Sequence, residues 1–269
     1  MSDTGLNRNT IDKFYTKTDI AKQCIKYFFD TIKPLEEDII LEPSAGNGSF
    51  SNQLKNEKNK IIGYDILPES DDIIKQDFLK LDIKQFENKT IHIIGNPPFG
   101  RQSSMAKLFI KKCCEFAKTI SFILPKSFKK DSFQNTFDKY YHLVFEIDLS
   151  QNSFMINDIE YDVPCIFQIW KKMNNKRQEI IKLEPTYYDF VKKNENPDLA
   201  FRRVGVYAGK IHTQINDKSE QSHYFIKLNN INTNTFLEKY KTITFNHDNT
   251  VGPKSISKQE LIKKINDLF

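Results

Sequence analysis

Apolar positions in the first two thirds of the chain fall into short runs separated by turn residues. The runs are Ile39-Ile40-Leu41, Ile61-Ile62-Gly63-Tyr64, Ile73-Ile74, Ile91 to Ile94, Ser121 to Leu124, Val144 to Leu149 and Cys165 to Trp170. Runs this short, rich in branched and aromatic side chains, predict buried strands rather than helices. Between them the period changes. Residues 10–32 place Ile20, Cys24, Tyr27 and Phe28 at helical spacing behind the capping candidates Thr18 and Asp19, and Ser103 to Ala117 and Ser132 to Tyr141 also have a helical pattern. Strands alternating with helices predict an α/β fold, an open and mostly parallel sheet with helices on both faces. Ser150 to Pro164 has no helical pattern, so a hairpin-like return and an antiparallel last strand are expected there, giving seven strands in all.

Beyond Lys171 the pattern weakens. Phe201 to Ile211 and His223 to Leu228 predict strands, and Lys258 to Leu268 a terminal helix. With no internal repeat and no low-complexity linker, the expected division is a main domain over 1–172 and an elaboration over 173–269 packed on the same core.

Composition narrows the class. The 269 residues, 39% of them hydrophobic, can build one generous domain with a sizeable core. No apolar run approaches the roughly 18 residues of a membrane span, and Met1 to Thr10 lacks a signal-peptide pattern, so a soluble, intracellular protein with no membrane partner is expected. Cys24, Cys113, Cys114 and Cys165 form no C-x-x-C pair and the five histidines are scattered, which predicts reduced thiols and no metal site. The net charge of +5 is uneven: residues 1–100 hold 13 Lys and Arg against 16 Asp and Glu, whereas residues 101–269 hold 27 against 19. Such asymmetry suits a first part that binds a small molecule and a second that faces phosphates.

The chemistry-bearing residues stand at the ends of the strand runs. Leu41-Glu42-Pro43-Ser44-Ala45-Gly46-Asn47-Gly48 follows the first strand, and Gly46 and Gly48 let the backbone turn tightly and a ligand approach. Position 51 is Ser, so the third glycine of a pyrophosphate-gripping turn is missing, and Glu42 favours a cationic or amine-bearing ligand. Asp65, with Ile66 beside it, ends the second strand, where an acid can accept both hydroxyls of a ribose. Asp77-Phe78 follows the third and can accept from an adenine amino group and cover its ring. The fourth strand ends in Gly95-Asn96-Pro97-Pro98-Phe99-Gly100. An exocyclic amine on an aromatic base is a poor nucleophile, and acceptors that hold both its N–H bonds favour the tetrahedral nitrogen of attack. The Asn96 side-chain oxygen and the Pro97 carbonyl suit that role, Pro97 and Pro98 stiffen the turn, and Phe99 offers a stacking face.

Taken together these segments resemble class I S-adenosylmethionine-dependent methyltransferases with a Rossmann-like fold, over residues 10–172. The resemblance implies that Glu42, Gly46 and Gly48 meet the methionine part of the cofactor, Asp65 the ribose, and Asp77 with Phe78 the adenine. Phe14-Tyr15-Thr16 resembles the segment that touches the methionine end, with Lys17 where Pro is commoner. The N-P-P-F run is similar to the signature of enzymes acting on exocyclic or amide nitrogens, most often adenine N6 in nucleic acid, and the motif order matches the γ arrangement of DNA adenine methyltransferases.

Nucleic acid, DNA ahead of RNA, is therefore the expected partner, with Lys126 and Phe128 after the fifth strand and Phe154 before the last as candidates for the substrate base. Related motifs serve enzymes that methylate the glutamine amide of protein release factors, which is the second reading. The third is an inert nucleic-acid-binding subunit of a methyltransferase complex. The segment after Lys172 is short for a sequence-specific DNA recognition domain and leaves room for RNA or a partner subunit. Within it Arg202, Arg203, Lys210 and Lys227 with Tyr207 and Phe225 form a basic and aromatic candidate surface; Gly205 to Lys210 imitates a phosphate loop but is one residue short.

Overall fold

The computed structural model describes residues 14–156, 159–178, 182–245 and 254–269. The signal-peptide reading of Met1 to Thr10 and the start of the 10–32 helical pattern lie outside them. In chain order the first unit contains β1 (Tyr15–Thr16), α1 (Thr18–Ile32), β2 (Ile39–Glu42), the single turn α2 (Ser51–Leu54), β3 (Lys60–Asp65), β4 (Ile73–Lys75), β5 (Ile91–Gly95), α3 (Ser104–Cys114), β6 (Thr119–Pro125), the single turn α4 (Asp131–Gln134), β7 (Tyr141–Asp148), β8 (Phe154–Ile156), β9 (Ile159–Tyr161) and β10 (Cys165–Lys172).

Seven of these strands form one sheet in the order β4-β3-β2-β5-β6-β10-β7. Its first five strands run parallel, and β10 is antiparallel to both neighbours. This is the expected Rossmann-like class I methyltransferase sheet. Its period of two sorts the side chains: Ile39, Leu41, Ile91, Ile93, Ile120 and Phe122 pack with Phe109 and Ile110 of α3 on one face. Ile40, Ile94, Ile123, Phe167 and Ile169 pack with Ile20, Cys24 and Phe28 of α1 on the other. A one-residue slip of any inner strand would exchange the two sets.

Several details depart from the expected ones. Thr18 opens α1, and Lys17 stands at the cap position with no side-chain cap. The pattern over Ser132 to Tyr141 is helical for only the single turn α4, and Tyr141 begins a strand. The return over Ser150 to Pro164 is a hairpin, β8 against β9, whose strand β8 also pairs with β1 and so ties the start of the described chain to the region before the last strand.

The chain divides into two compact units, Met1–Gln178 and Glu179–Phe269. The expected boundary at 172/173 lies close to this division, and the second unit has a hydrophobic cluster of its own, with Tyr188, Leu199, Phe201, Ile226, Phe236, Leu261 and Ile265 buried together. It comprises β11 (Tyr188–Val191), β12 (Leu199–Arg202), β13 (Ile211–His212) and β14 (His223–Leu228), in the order β11-β14-β12-β13, with α5 (Thr233–Tyr240) and α6 (Lys258–Asn266). The strand expected across Phe201 to Ile211 breaks at Gly205 and Gly209, whose φ values of +96° and +99° turn the chain into a hairpin loop. Helix α6 starts with a capping box between Ser257 and Glu260. Among the described residues no helix is long and apolar enough to cross a membrane.

Candidate functional site

At the C-terminal ends of β2, β3, β4 and β5, where ligands bind in open α/β sheets, a cavity of about 420 Å³ opens. Tyr15, Thr16, Glu42, Gly46, Asp65, Ile66, Asp77, Phe78, Asn96, Pro97, Pro98 and Phe99 all line it. Residues drawn from five separate stretches of sequence thus meet in one place.

Glu42 is buried, and its Oε2 accepts from the Ser51 N–H at 2.8 Å. Burial pushes its carboxyl up to about 8, against the counterpull of its hydrogen bonds to Ser51 and Phe50 and with a further push from Asp65. Gly46 takes a left-handed φ of +52°, and a Cβ there would stand 3.5 Å from the Tyr15 ring. That conformation aims the Gly46 N–H at Asp65 Oδ2, 2.7 Å away, while Asp65 Oδ1 accepts from Leu67 N–H at 2.8 Å. Asp77 caps the short turn after β4 by accepting from Leu79 N–H at 3.1 Å. Phe78 is nearly buried and stacks on Phe109 with centroids 5.4 Å apart, so it is a wall of the cavity and part of the core at once.

The N-P-P-F turn carries the sharpest feature. Asn96 Nδ2 donates to the Phe14 carbonyl at 3.2 Å, while its Oδ1 is buried with no partner. Ser44 Oγ donates to the Asn96 carbonyl at 3.1 Å and ties the glycine turn to this one. Thr16 Oγ1, also on the cavity wall, is a second buried oxygen without a partner. Buried polar atoms are nearly always paired, so two unpaired oxygens on residues that line one cavity set this wall apart from the rest of the sheet end. Phe99 is half-buried and packs against both sheet cores, which holds its ring at the cavity edge.

Tyr15, on β1, reaches across the glycine turn and hydrogen-bonds Glu69, whose own N–H donates to the Gly46 carbonyl at 3.1 Å. Sequence reasoning missed Glu69, Ser44 and the Phe14 carbonyl. A backbone carbonyl has no side-chain signature, and Glu69 sits in a loop of polar residues that offers no periodic signal.

Other expected residues lie elsewhere. Gly48 has φ +81° and shapes the turn without lining the cavity; a Cβ there would come within 2.6 Å of Asn52 Nδ2. Phe128 and Phe154 are fully buried and offer no face to a base: Phe128 packs edge-on against Phe133, and Phe154 edge-on against Phe14, behind the cavity wall. Lys126 and Lys129 lie 3.4 and 2.6 Å from Asp148, so this basic stretch is offset by a carboxylate from β7. Among the described residues no group of three or more His, Cys, Asp or Glu is placed to hold a metal.

The buried Glu42, the unpartnered Thr16 Oγ1, Asp65, Asp77 and the Phe78 wall are a set of residue types that fits S-adenosyl-L-methionine.

Among solved structures the chain is similar to a candidate RNA methyltransferase from Pyrococcus horikoshii, with 14% identity, 61% of this chain and 88% of that one covered, and a TM-score of 0.44. It is also similar to a candidate class I S-adenosylmethionine-dependent methyltransferase from Listeria monocytogenes, with 16% identity, 62% and 64% covered, and a TM-score of 0.45. A third is magnesium protoporphyrin IX methyltransferase from Synechocystis with bound S-adenosylmethionine, at 12% identity, 58% and 79% covered, and a TM-score of 0.41. No curated protein matches it in sequence. The model of the EDM2 methyltransferase-like domain matches residues 35–179, more than half of the chain and all seven strands of the large sheet, so the chain belongs to that methyltransferase-like family.

Proposed function

We propose that the protein is an S-adenosylmethionine-dependent methyltransferase acting on the exocyclic N6 amine of adenine in nucleic acid, DNA ahead of RNA. The observation that carries this reading is the Asn96 amide, which lines the cavity, is pinned through Nδ2 to the Phe14 carbonyl and keeps a buried, unpartnered Oδ1. An acceptor in that state suits an N–H donor. The bound cofactor supplies an electrophilic methyl group on a sulfonium centre. Asn96 Oδ1 and the Pro97 carbonyl hold the two N–H bonds of the amine, turn its lone pair out of the ring and stabilise the positive charge that develops on nitrogen. Pro97 and Pro98 keep the turn stiff, and Phe99 provides a face for the ring. No protein base is required, because the surplus proton leaves nitrogen for solvent once the new N–C bond has formed and the C–S bond has broken.

Incubation with tritiated cofactor and separate DNA, RNA and protein pools tests the reading, followed by mass spectrometry of the released nucleosides. N6-methyl-2′-deoxyadenosine from DNA or N6-methyladenosine from RNA supports it. Label in protein alone overturns it in favour of a glutamine amide, a planar donor of similar geometry, and binding of cofactor to no measurable extent favours the inert subunit.

A further inference from the structure

The second unit has a cavity of its own, about 130 Å³, lined by Arg202, Tyr207, Lys210, His212, Lys218 and His223. Three of the six are permanent cations and two more become cations on protonation; among the described residues no carboxylate lines it. The nearest acid is Asp217, whose Oδ2 lies 2.7 Å from Lys218 Nζ and offsets one charge only. His223 is 5% exposed, yet its Nε2 has no partner. Its other nitrogen, Nδ1, lies 3.1 Å from the Ser219 carbonyl, which can only accept. Ser222 Oγ lies 3.0 Å from the same Nδ1 and can donate to it or accept from it, so the neutral ring can carry its single proton on either nitrogen, whereas the protonated ring carries one on both. The His212 ring stands edge-on to it at 5.6 Å.

The loop that forms one wall has a fixed shape. Arg202 and Lys210 bracket it through a hydrogen bond of 2.8 Å from Arg202 N–H to the Lys210 carbonyl, and Gly205 and Gly209 make its bends. At its tip Val206 and Tyr207 are 81% and 70% exposed. An exposed ring beside a ring of cations has the composition of a site for a base and its phosphate.

We propose that this cavity binds a phosphate group of a polynucleotide backbone, with Tyr207 stacking on an adjacent base. The polynucleotide half of the proposal rests on the nucleic-acid reading given above; the phosphate half stands on the cavity alone. A phosphodiester oxygen carries no proton and can only accept, so it bonds to His223 through a proton on Nε2, and the protonated ring adds a charge to that bond. Burial holds the histidines below their ordinary value, with Arg202 and Lys218 adding to the shift at His223 and Lys218, His223 and Lys210 at His212; the Ser219 carbonyl and Asp217 pull His223 the other way. A bound anion favours the protonated rings, so binding takes up protons and tightens as pH falls toward the depressed values of the free histidines.

The full chain is titrated with a fluorescein-labelled single-stranded oligonucleotide by anisotropy between pH 5.5 and 8, and with inorganic phosphate while the histidine side-chain resonances are followed by NMR. Lys210→Ala and Tyr207→Ala, both at exposed positions, each weaken oligonucleotide binding about 5–10-fold. Lys210→Ala also lowers the slope of log affinity against log salt by about 0.7. His223→Gln flattens the pH profile, and inorganic phosphate shifts the His223 and His212 resonances of the parent protein. Oligonucleotide affinity and pH profile unchanged in all three variants overturn the site. A phosphate response without oligonucleotide binding overturns the polynucleotide half and retains the phosphate half. An intact phosphate response in a protein that methylates only protein sinks the nucleic-acid reading and leaves the phosphate pocket standing.

Discussion

Asn96 and Phe14 lie 82 positions apart in sequence, yet the side-chain amide of one donates to the backbone carbonyl of the other at 3.2 Å. That contact fixes the rotamer of an amide that belongs to the cavity lining. Nδ2 is occupied, and Oδ1 is the acceptor left over. Asn96→Ala removes the acceptor without touching the acids expected to hold the cofactor. Transfer falls by about 10²–10³-fold, the usual cost of deleting one donor or acceptor aimed at developing charge, while cofactor affinity measured by calorimetry stays within about twofold. A parallel fall in affinity would show that Asn96 holds the cofactor instead.

Asp65 predicts the opposite split. Both of its oxygens already accept backbone N–H bonds, from Gly46 and Leu67, so its carboxylate is oriented before any ligand arrives. On the cofactor reading proposed above, Asp65→Ala removes an acceptor for the ribose hydroxyls, and it also releases the glycine turn. Charge-assisted hydrogen bonds of this kind contribute about 1.5–3 kcal/mol, so cofactor Kd rises roughly 10–100-fold. At saturating cofactor the rate recovers most of its value, and steady-state kinetics separates this from a catalytic defect.

If Glu42 meets the cofactor's ammonium as proposed, binding depends on pH. With its carboxyl near 8 in the free protein, it is mostly protonated at pH 7, and a ligand ammonium favours the ionised form. Affinity therefore rises with pH up to about 8 and levels off above it, with proton release on binding at lower pH. Stability of the free protein moves the other way. A folded-state value raised from 4.5 to about 8 stabilises fully below 4.5, and that contribution is lost as pH rises through 8. Glu42→Gln flattens both profiles, weakens binding and raises the melting temperature of the free protein at pH 8. A melting temperature lowered at pH 8 would contradict the assignment.

The seven-stranded sheet was legible because its strands are short apolar runs closed by turns, and the candidate residues stand at their ends: Glu42 and Asp65 finish β2 and β3, and Asp77 and Asn96 follow β4 and β5. Phe133, Phe137 and Tyr141 misled for a packing reason. Their four-residue spacing imitates a helix, but Phe137 stacks on Trp170 at 4.1 Å, Phe133 meets Phe128 edge-on, and Tyr141 hydrogen-bonds the Ala117 carbonyl. Three aromatics fill one end of the core from a turn and a strand. Phe154 misled in a similar way: an aromatic before the last strand satisfies the expected pattern, and only its pairing opposite Thr16 shows that it buttresses β1. In the second unit α5 carries one buried residue, Phe236, and so had no apolar stripe to read.

His92 and its neighbours yield a prediction far from the cavity, at the N-terminal ends of the strands. Its Nε2–H donates to Asp38 Oδ2 at 3.1 Å, and its Nδ1 accepts from the Thr119 hydroxyl at 2.8 Å. The trio has the residue types of a nucleophile, base and orienting acid, but all three are buried, Thr119 completely, and no substrate reaches them. Burial pushes the His92 imidazole below its ordinary value, outweighing the pull of Asp38, and the charges of Lys171 and Lys118 act in the same direction. The ring is therefore neutral when folded, whereas the unfolded chain titrates near 6.5. Stability from this group is present above pH 6.5 and is lost as pH falls through the depressed folded value, because the unfolded state then binds the extra proton. Protonating Nδ1 in place would also force the Thr119 hydroxyl to turn from donor to acceptor. His92→Gln keeps polar contacts without titrating, so it lowers the melting temperature at pH 7.5 by removing packing against Phe28, 5.8 Å away. It also shrinks the drop between pH 7.5 and pH 5. Thermal melts at the two pH values check this, and an equal drop in both proteins would place the acid sensitivity elsewhere.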